Sequence, residues 1–544
     1  MSGSYQMLTQ PSDESQLQQM YIEKKKQLIP VIFLPGVMGS NLKNKNGDII
    51  WRPETNSMDG ITNLLGWALP YFGSAQVRRK DLNPNEVLVD DRGKIKKARK
   101  DNNDEHAFGP RSKRGWGTVA NMSYGDFLPW LQEHLYSENG SLSQVLNKLI
   151  DMPSFTVDVG SKQNLFLDKK QLSLCDNYAF PVHAMGYNWL ASIESSANAL
   201  KNLIEVQLPQ YYRRNKSKLS KVILVTHSMG GLVARYYTKE LGGEDKVYGV
   251  VHGVLPSTGA AAAYTRMKQG AAMTGIIGKI VSEVIGDDAE EMTAVCSQSP
   301  GPLQLLPSPN YGYNWLTIHH ADDTKETYPK QDPYKEIYLE KDKWWGLCEP
   351  HLINPLNTKY DSNLMKEDWD AYERIIRNKV KNFHDKIKDN YHPNTYAFYG
   401  IDTKKEANKI KADFLTYESV HWEGKLEQCF IKPYSPEDFT KVKSRFLPNE
   451  DYIGDKRRLN LRELGEIRRL RLAPDNHSWR QVYTLQRAKE NGDNTVPKKS
   501  GEIPITYLKS RVGLDIGHEP AYKDKQGRSQ EFTLRAIITM IQDI

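Results

Sequence analysis

The stretch ILVTHSMGGLVARYY, residues 223–237, changes its periodicity half-way, and the change falls on a serine. Ile223, Leu224 and Val225 form a short apolar run rich in β-formers, the pattern of a strand covered on both faces. Beyond Met229 the apolar residues Leu232, Val233, Tyr236 and Tyr237 return at helical intervals. Ser228 therefore occupies a strand-to-helix corner, where the chain turns within one or two residues. Such a corner strains the residue at its apex and lifts its hydroxyl clear of the sheet. Gly230 leaves room for the helix to pass, and the Met229 amide points into the space above the serine. This is the arrangement of a nucleophile elbow. Its alternative is a plain strand–helix turn with an N-capping serine. The usual G-x-S-x-G reads T-H-S-M-G here, with Thr226 in place of the first glycine, a site that small residues also fit.

Outward from the elbow the same alternation continues. The first strong strand is Val31–Leu34 in PVIFLPGVMGSNL; FPVHAMGYNW (180–189) reads as a strand entering a loop, with a helix over 190–207; KVYGVVHGV (246–254) is a further buried strand. Strand and helix in alternation imply an α/β fold with a mostly parallel, doubly wound sheet, its ligand at the carboxyl ends of the strands. Large insertions interrupt it. The expected division is an N-terminal extension (1–30), a first core part (31–256) holding an insertion (43–178), a cap or lid insertion (257–391), a core strand (392–402), a second insertion (403–489) and the C-terminal core (490–544). The first insertion is polar and loop-rich, with basic clusters at Arg78–Lys80 and Lys94–Lys100 and a short amphipathic helix in YGDFLPWLQEHL (124–135). No internal repeat or low-complexity linker divides the chain.

Composition excludes several classes. The 544 residues are 39% hydrophobic and 26% charged, with a net charge of +7. That charge is too weak for a nucleic-acid-binding protein and only favours anionic surfaces. Four cysteines lie far apart, with no C-x-x-C pair, so neither a zinc site nor a redox centre is expected, and no cofactor or metal. The start, MSGSYQMLTQPSDESQLQQM, lacks the basic and apolar regions of a signal peptide, and no segment reaches transmembrane length. The expectation is a chain made in a reducing cytoplasm.

A serine hydroxyl is a poor nucleophile at neutral pH and needs an imidazole base oriented by a carboxylate. In an α/β-hydrolase the chain order is Ser, then Asp or Glu, then His. Among thirteen histidines, His518 in LDIGHEPAY follows the last core strand and precedes the terminal helix, the expected place for the base. His477, in the second insertion, is the runner-up. His227 adjoins the serine, points away from its hydroxyl and is read as support for the elbow; His252 in VVHGV is read as a satisfied core residue. For the acid, Asp493 in NGDNTVP is preferred over Asp402 at the end of the strand NTYAFYGI, because the G-D-x-T-V turn presents a carboxylate with Thr495 to support it. Negative charge developing on the substrate oxygen needs donors. These are expected from the Met229 amide and from the loop LPGVMGSN (34–41), with Val37 as the second donor and Met38 as its alternative.

VIFLPGVMGSNL, THSMGG, NGDNTVP and GHEPAY, in that order, resemble the lecithin–cholesterol acyltransferase-like branch of α/β-hydrolases and the GPI-inositol-deacylase-like lipases. RGWGTVANMSYGDFL (114–128), VHGVLPSTGAAAAYTRMKQGA (251–271) and SPGPLQLLPSP (299–309) are similar to bacterial lipases delivered as type VI secretion effectors. The resemblance implies hydrolysis of phospholipid acyl esters in a rival cell, loading on the secretion spike, a cognate immunity protein and action in the target periplasm. By position it places Ser228, Asp493 and His518 in the triad and Val37 and Met229 at the oxyanion loop. It also gives the insertions a reading. The stripe Ile276, Ile277, Ile280, Val281, Val284 and Ile285 is either a lid opening onto the bilayer or a fixed cap helix. The basic stretch DKRRLNLRELGEIRRLRL (455–472) either meets anionic headgroups or is a solvated face. Rival expectations are an acyltransferase or non-toxin esterase of the same fold and, from another class, a hydrolase-fold interaction protein.

Overall fold

The computed structural model describes residues 27–544 apart from 55–73, 139–140, 152–155, 215–218, 271–285, 287, 404–413, 431–476, 525 and 543. Six strands make the central sheet: β1 (Val31–Leu34), β2 (Val182–Ala184), β3 (Val222–His227), β4 (Val247–Gly253), β5 (Thr395–Ile401) and β6 (Ser510–Asp515). They lie in the order β6-β5-β4-β3-β1-β2, and every neighbouring pair is parallel. This is the mostly parallel, doubly wound α/β sheet that the alternation implies, and it fits the α/β-hydrolase fold that the motifs resemble. Every residue of β1 and β3 is buried, which is why their sequences are unbroken apolar runs.

Successive side chains leave a strand on opposite faces, and two core clusters result. Ile32, Leu34 and Leu224 pack on one face with residues of α1 (Ile193–Asn202) and α2 (Met229–Glu240). Val31, Phe33, Ile223 and Val225 pack on the other with the C-terminal helix α3 (Arg528–Ile541). The helix expected over 190–207 starts at Ile193, where the Ser192 side chain caps the Ser195 amide, and runs into a π-helical turn at Leu203–Gln207.

The first insertion contains a three-stranded sheet (Leu42–Asn44, Ile49–Trp51, Val87–Val89), and its amphipathic helix spans Phe127–His134. Its RGWGTVANMSYGDFL segment covers the edge strand β2. The Ala184 amide donates to the Arg114 carbonyl at 2.9 Å, and Trp116 Nε1 donates to the Val182 carbonyl at 2.9 Å. An edge strand covered in this way has no free ladder to offer another chain.

Separate in the sequence, the two later insertions share one sheet in the structure. Its order is Lys325–Tyr328, Leu316–His319, Val420–Phe430, His477–Leu485, and Leu316–His319 from one insertion pairs in parallel with Val420–Glu423 of the other. Aromatic rings fill the layer beside it: Trp344 lies 5.1 Å from Trp422 and 4.4 Å from Tyr483, centroid to centroid. The stripe at 276–285 and the basic stretch 455–472 lie outside the described residues. Among the described residues no helix is long and apolar enough to cross a membrane.

Candidate active site

Ser228 sits between β3 and α2 with φ 50° and ψ −123°, a conformation that costs an L-residue about 1–3 kcal/mol. Two bonds hold it there: its amide donates to the Gly253 carbonyl and its carbonyl accepts from the Gly231 amide, both at 2.9 Å. The hydroxyl makes no capping bond to α2, so the N-cap alternative does not apply. Gly230 is needed for close approach, since a Cβ there would fall 2.5 Å from the carbonyl oxygens of Leu34 and Pro35. Thr226 also has a reason to be threonine. Its Oγ1 lies 2.9 Å from His252 Nδ1, and burial, helped by the Arg235 charge, pushes the His252 pKa down to about 3. His252 is thus a neutral, satisfied core residue.

His518 stands at the start of the turn Glu519–Tyr522, just beyond β6. Its Nε2 is 2.8 Å from Ser228 Oγ and its Nδ1 is 2.8 Å from Asp493 Oδ2. The other oxygen of Asp493 accepts from the amides of Thr495 at 3.0 Å and Val496 at 2.6 Å. The backbone is tied as well, the His518 amide donating to the Asp493 carbonyl at 2.8 Å. With Nδ1–H given to the carboxylate, Nε2 is the nitrogen left to accept the serine proton. Thr495 adds a second support, its hydroxyl accepting from Arg266 Nη2 at 3.2 Å. Asp402 directly follows β5 as expected, but one of its oxygens accepts from the Phe414 amide at 2.6 Å and its own amide donates to Asn491. His477 begins a strand of the insertion sheet, opposite Phe430. The structure thus brings Ser228, His518 and Asp493 together.

The loop after β1 turns at residues 36–39, where the Gly39 amide donates to the Gly36 carbonyl at 3.0 Å and Met38 has φ 64°. Trp51 Nε1 donates to the Met38 carbonyl at 2.6 Å and holds the turn. The Gly36 amide is engaged by the Tyr124 hydroxyl at 3.1 Å. The Val37 and Met38 amides find no acceptor among the described residues, and neither does that of Met229, the first residue of α2. Three donors, from the β1 loop and from a helix start, therefore remain without an acceptor among the described residues. Ser228 itself is 3% exposed, so little bulk water reaches its hydroxyl.

Comparison with known proteins adds likenesses to this geometry. Residues 183–262 match the PGAP1-like alpha/beta domain. That segment spans β2 to β4 and contains the elbow, while Asp493 and His518 lie beyond it. Over 95% of its length the chain is similar to 99% of a chain in the crystal structure of the Tle4–Tli4 complex, at 26% identity and a TM-score of 0.72. Phospholipase PlaB from Legionella pneumophila covers 71% of this chain, and this chain 79% of it, at 11% identity and a TM-score of 0.17. No curated protein matches the sequence.

Within the PGAP1-like segment, His227 supports the elbow through two partners. Its Nδ1 is 2.8 Å from the Tyr124 hydroxyl and its Nε2 is 2.9 Å from the His518 carbonyl. Burial, reinforced by the neighbouring His518, pushes its pKa down to about 3, so the ring is neutral. In the sequence Tyr124 stands out only as part of YGDFLPWLQEHL and of the RGWGTVANMSYGDFL stretch. Only those stretches could have pointed to it.

Proposed function

We propose that the protein is a serine lipase of the phospholipase type, hydrolysing acyl esters of membrane phospholipids through Ser228, His518 and Asp493. The unbroken hydrogen-bonded line from the strained serine to the carboxylate carries this reading. Ser228 Oγ attacks the ester carbonyl as His518 Nε2 takes its proton, and Asp493 stabilises the imidazolium that forms. The oxygen of the tetrahedral intermediate is received by the amides of Met229 and Val37, with Met38 as the other donor of that turn. Collapse expels the lysophospholipid alcohol, which takes the proton from His518 and leaves an acyl-serine. Water then attacks with His518 as base, releasing the fatty acid and restoring the hydroxyl. An interaction protein on the same fold would have no need of this line.

The likeness to a chain of the Tle4–Tli4 complex, with the loop resemblances noted above, supports a role as a type VI secretion effector. It would be carried by the secretion spike into the target periplasm and matched by an immunity protein in its producer. Mass spectrometry of a phospholipid panel tests the chemistry. The wild type should release fatty acid, and Ser228→Ala should lose roughly 10⁵- to 10⁶-fold in kcat while staying folded. An unchanged rate in that variant would sink the enzyme assignment. The effector role has a separate test. Expression with a periplasmic export signal should poison a test bacterium, whereas cytoplasmic expression and the exported Ser228→Ala variant should not. Harmlessness in both compartments, with an active enzyme, would count against injection.

A further inference from the structure

Tyr124 ends the short helix Asn121–Tyr124 of the first insertion, outside the hydrolase core, and is 2% exposed. Its ring packs edge-on against Phe33 of β1 at 4.8 Å. Its hydroxyl has one proton and two neighbours. It accepts from the Gly36 amide at 3.1 Å, which leaves the proton for His227 Nδ1 at 2.8 Å. His227 must then carry its own proton on Nε2, and that proton goes to the His518 carbonyl at 2.9 Å. One hydroxyl thus ties the loop that offers the oxyanion donors to the main chain of the base. We propose that Tyr124 is a positioning residue that fixes the oxyanion loop and His518 relative to each other, through Gly36 on one side and His227 on the other.

The proposal rests on the lipase reading above. In that reading the loop donor and the base follow separate strands, β1 and β6, and the reaction needs each within a fraction of an ångström of its productive position. His518 is held at its amide by the Asp493 carbonyl and at its own carbonyl by His227. Without Tyr124, His227 can exchange tautomers and lose the second hold, while the Gly36 amide loses its acceptor. Gly36 is accordingly no oxyanion donor. A Cβ on it would lie 2.9 Å from His227 Nδ1 and 3.1 Å from the Ser228 Cβ, so this loop lies directly on the elbow it serves.

The test compares full-length wild type with Tyr124→Phe, His227→Gln and His227→Leu. The readouts are steady-state kinetics on a short-chain nitrophenyl ester, the rate of labelling by a fluorophosphonate, and thermal melting. Tyr124→Phe should lower kcat and the labelling rate roughly ten- to a hundred-fold with KM little changed, the scale of an ångström-sized misplacement. A glutamine side-chain amide in place of the imidazole can still donate to the His518 carbonyl, and leucine cannot. His227→Gln should therefore work at least about tenfold faster than His227→Leu. Wild-type kcat in Tyr124→Phe, a rise in KM alone, or equal rates for the two His227 variants would overturn the proposal. The His227 pair decides the matter if Tyr124→Phe melts early. A wild type that neither hydrolyses the ester nor takes up the probe overturns the lipase reading itself, and this proposal with it.

Discussion

The core sheet and the sheet of the insertions differ in how far local sequence pattern announces their strands. In the core, β3 and β4 are joined by α2 and pair directly, and Ser228, at the end of β3, sits in a strand-to-helix corner that a short stretch of sequence announces. In the insertion layer Leu316–His319 meets Val420–Glu423 with the whole of β5 lying between them in the chain. Core pairs such as β1 with β3 and β4 with β5 span more than a hundred residues too, but each core strand is announced by the strand–helix alternation around it, and the insertion strands are not. Chemistry placed by the first kind of order can be read from a short stretch. Support supplied by the second kind cannot.

The largest effect that separates the two carboxylate sites is kinetic. On the proposed mechanism Asp493→Asn leaves the His518 ring without the acceptor that fixes its tautomer, and kcat should fall on the order of 10⁴-fold. Asp402→Asn exchanges the charged acceptor of the Phe414 amide for a neutral one and should act mainly on stability. Rates on a nitrophenyl ester, set beside melting temperatures, check this. The reverse ranking would move the acid to Asp402 and leave the fold untouched.

This contrast also explains what was legible. The elbow, the β1 loop and the order of Ser228, Asp493 and His518 along the chain follow from local patterns: a strand-to-helix switch, glycine-rich turns and a G-D-x-T-V turn. The role of Tyr124 was not legible, because its bond to His227 joins residues 103 apart in sequence and an ordinary tyrosine carries no local signal. Thr226 departs from the motif, and only its contact with His252 shows why it is accommodated. The second sheet escaped because a parallel pair between two insertions has no turn to announce it.

A smaller effect probes the core by itself. Gly230→Ala forces a methyl against two carbonyl oxygens of the β1 end, and α2 must shift to admit it. The expected destabilisation is about 1–3 kcal/mol in urea unfolding, with activity reduced because the elbow moves as well. A fully stable, active variant would show that the packing of α2 on β1 is not what holds the corner.

Acid should weaken the core more than the insertion layer. Burial first of all pushes the pKa of His183, His227 and His252 down to about 3, while that of His384, in the insertion layer, falls to about 4. The unfolded chain takes up these protons near pH 6.5 and the folded one does not, so stability is lost as pH falls below about 6.5 towards 3–4. One pH unit below that point, each such histidine withdraws about 1 kcal/mol. Urea midpoints at pH 7 and 5.5 should therefore lie closer together in His252→Gln than in the wild type, and an identical shift in both would remove the argument.

The finest comparison deletes the same atom in the two regions. Tyr522 donates its hydroxyl to the Thr226 carbonyl at 3.0 Å, beside the elbow. Tyr311 donates to the Glu418 carbonyl at 2.9 Å, joining one insertion to the other. Each Tyr→Phe change removes one donor from a carbonyl and one acceptor, for the Thr533 hydroxyl or the Ala261 amide, and should cost about 0.5–1.5 kcal/mol. The ring contacts remain, including the one between the Tyr311 ring and Lys499 Nζ at 3.9 Å, so packing does not enter the difference. What should differ is turnover. Tyr522→Phe loosens the end of β3, one residue before His227, and should lower kcat severalfold. Tyr311→Phe should leave kcat where it is. Equal kinetic losses would mean that the insertion sheet is coupled to the elbow as tightly as the core is, and the division between the two sheets would have to be redrawn.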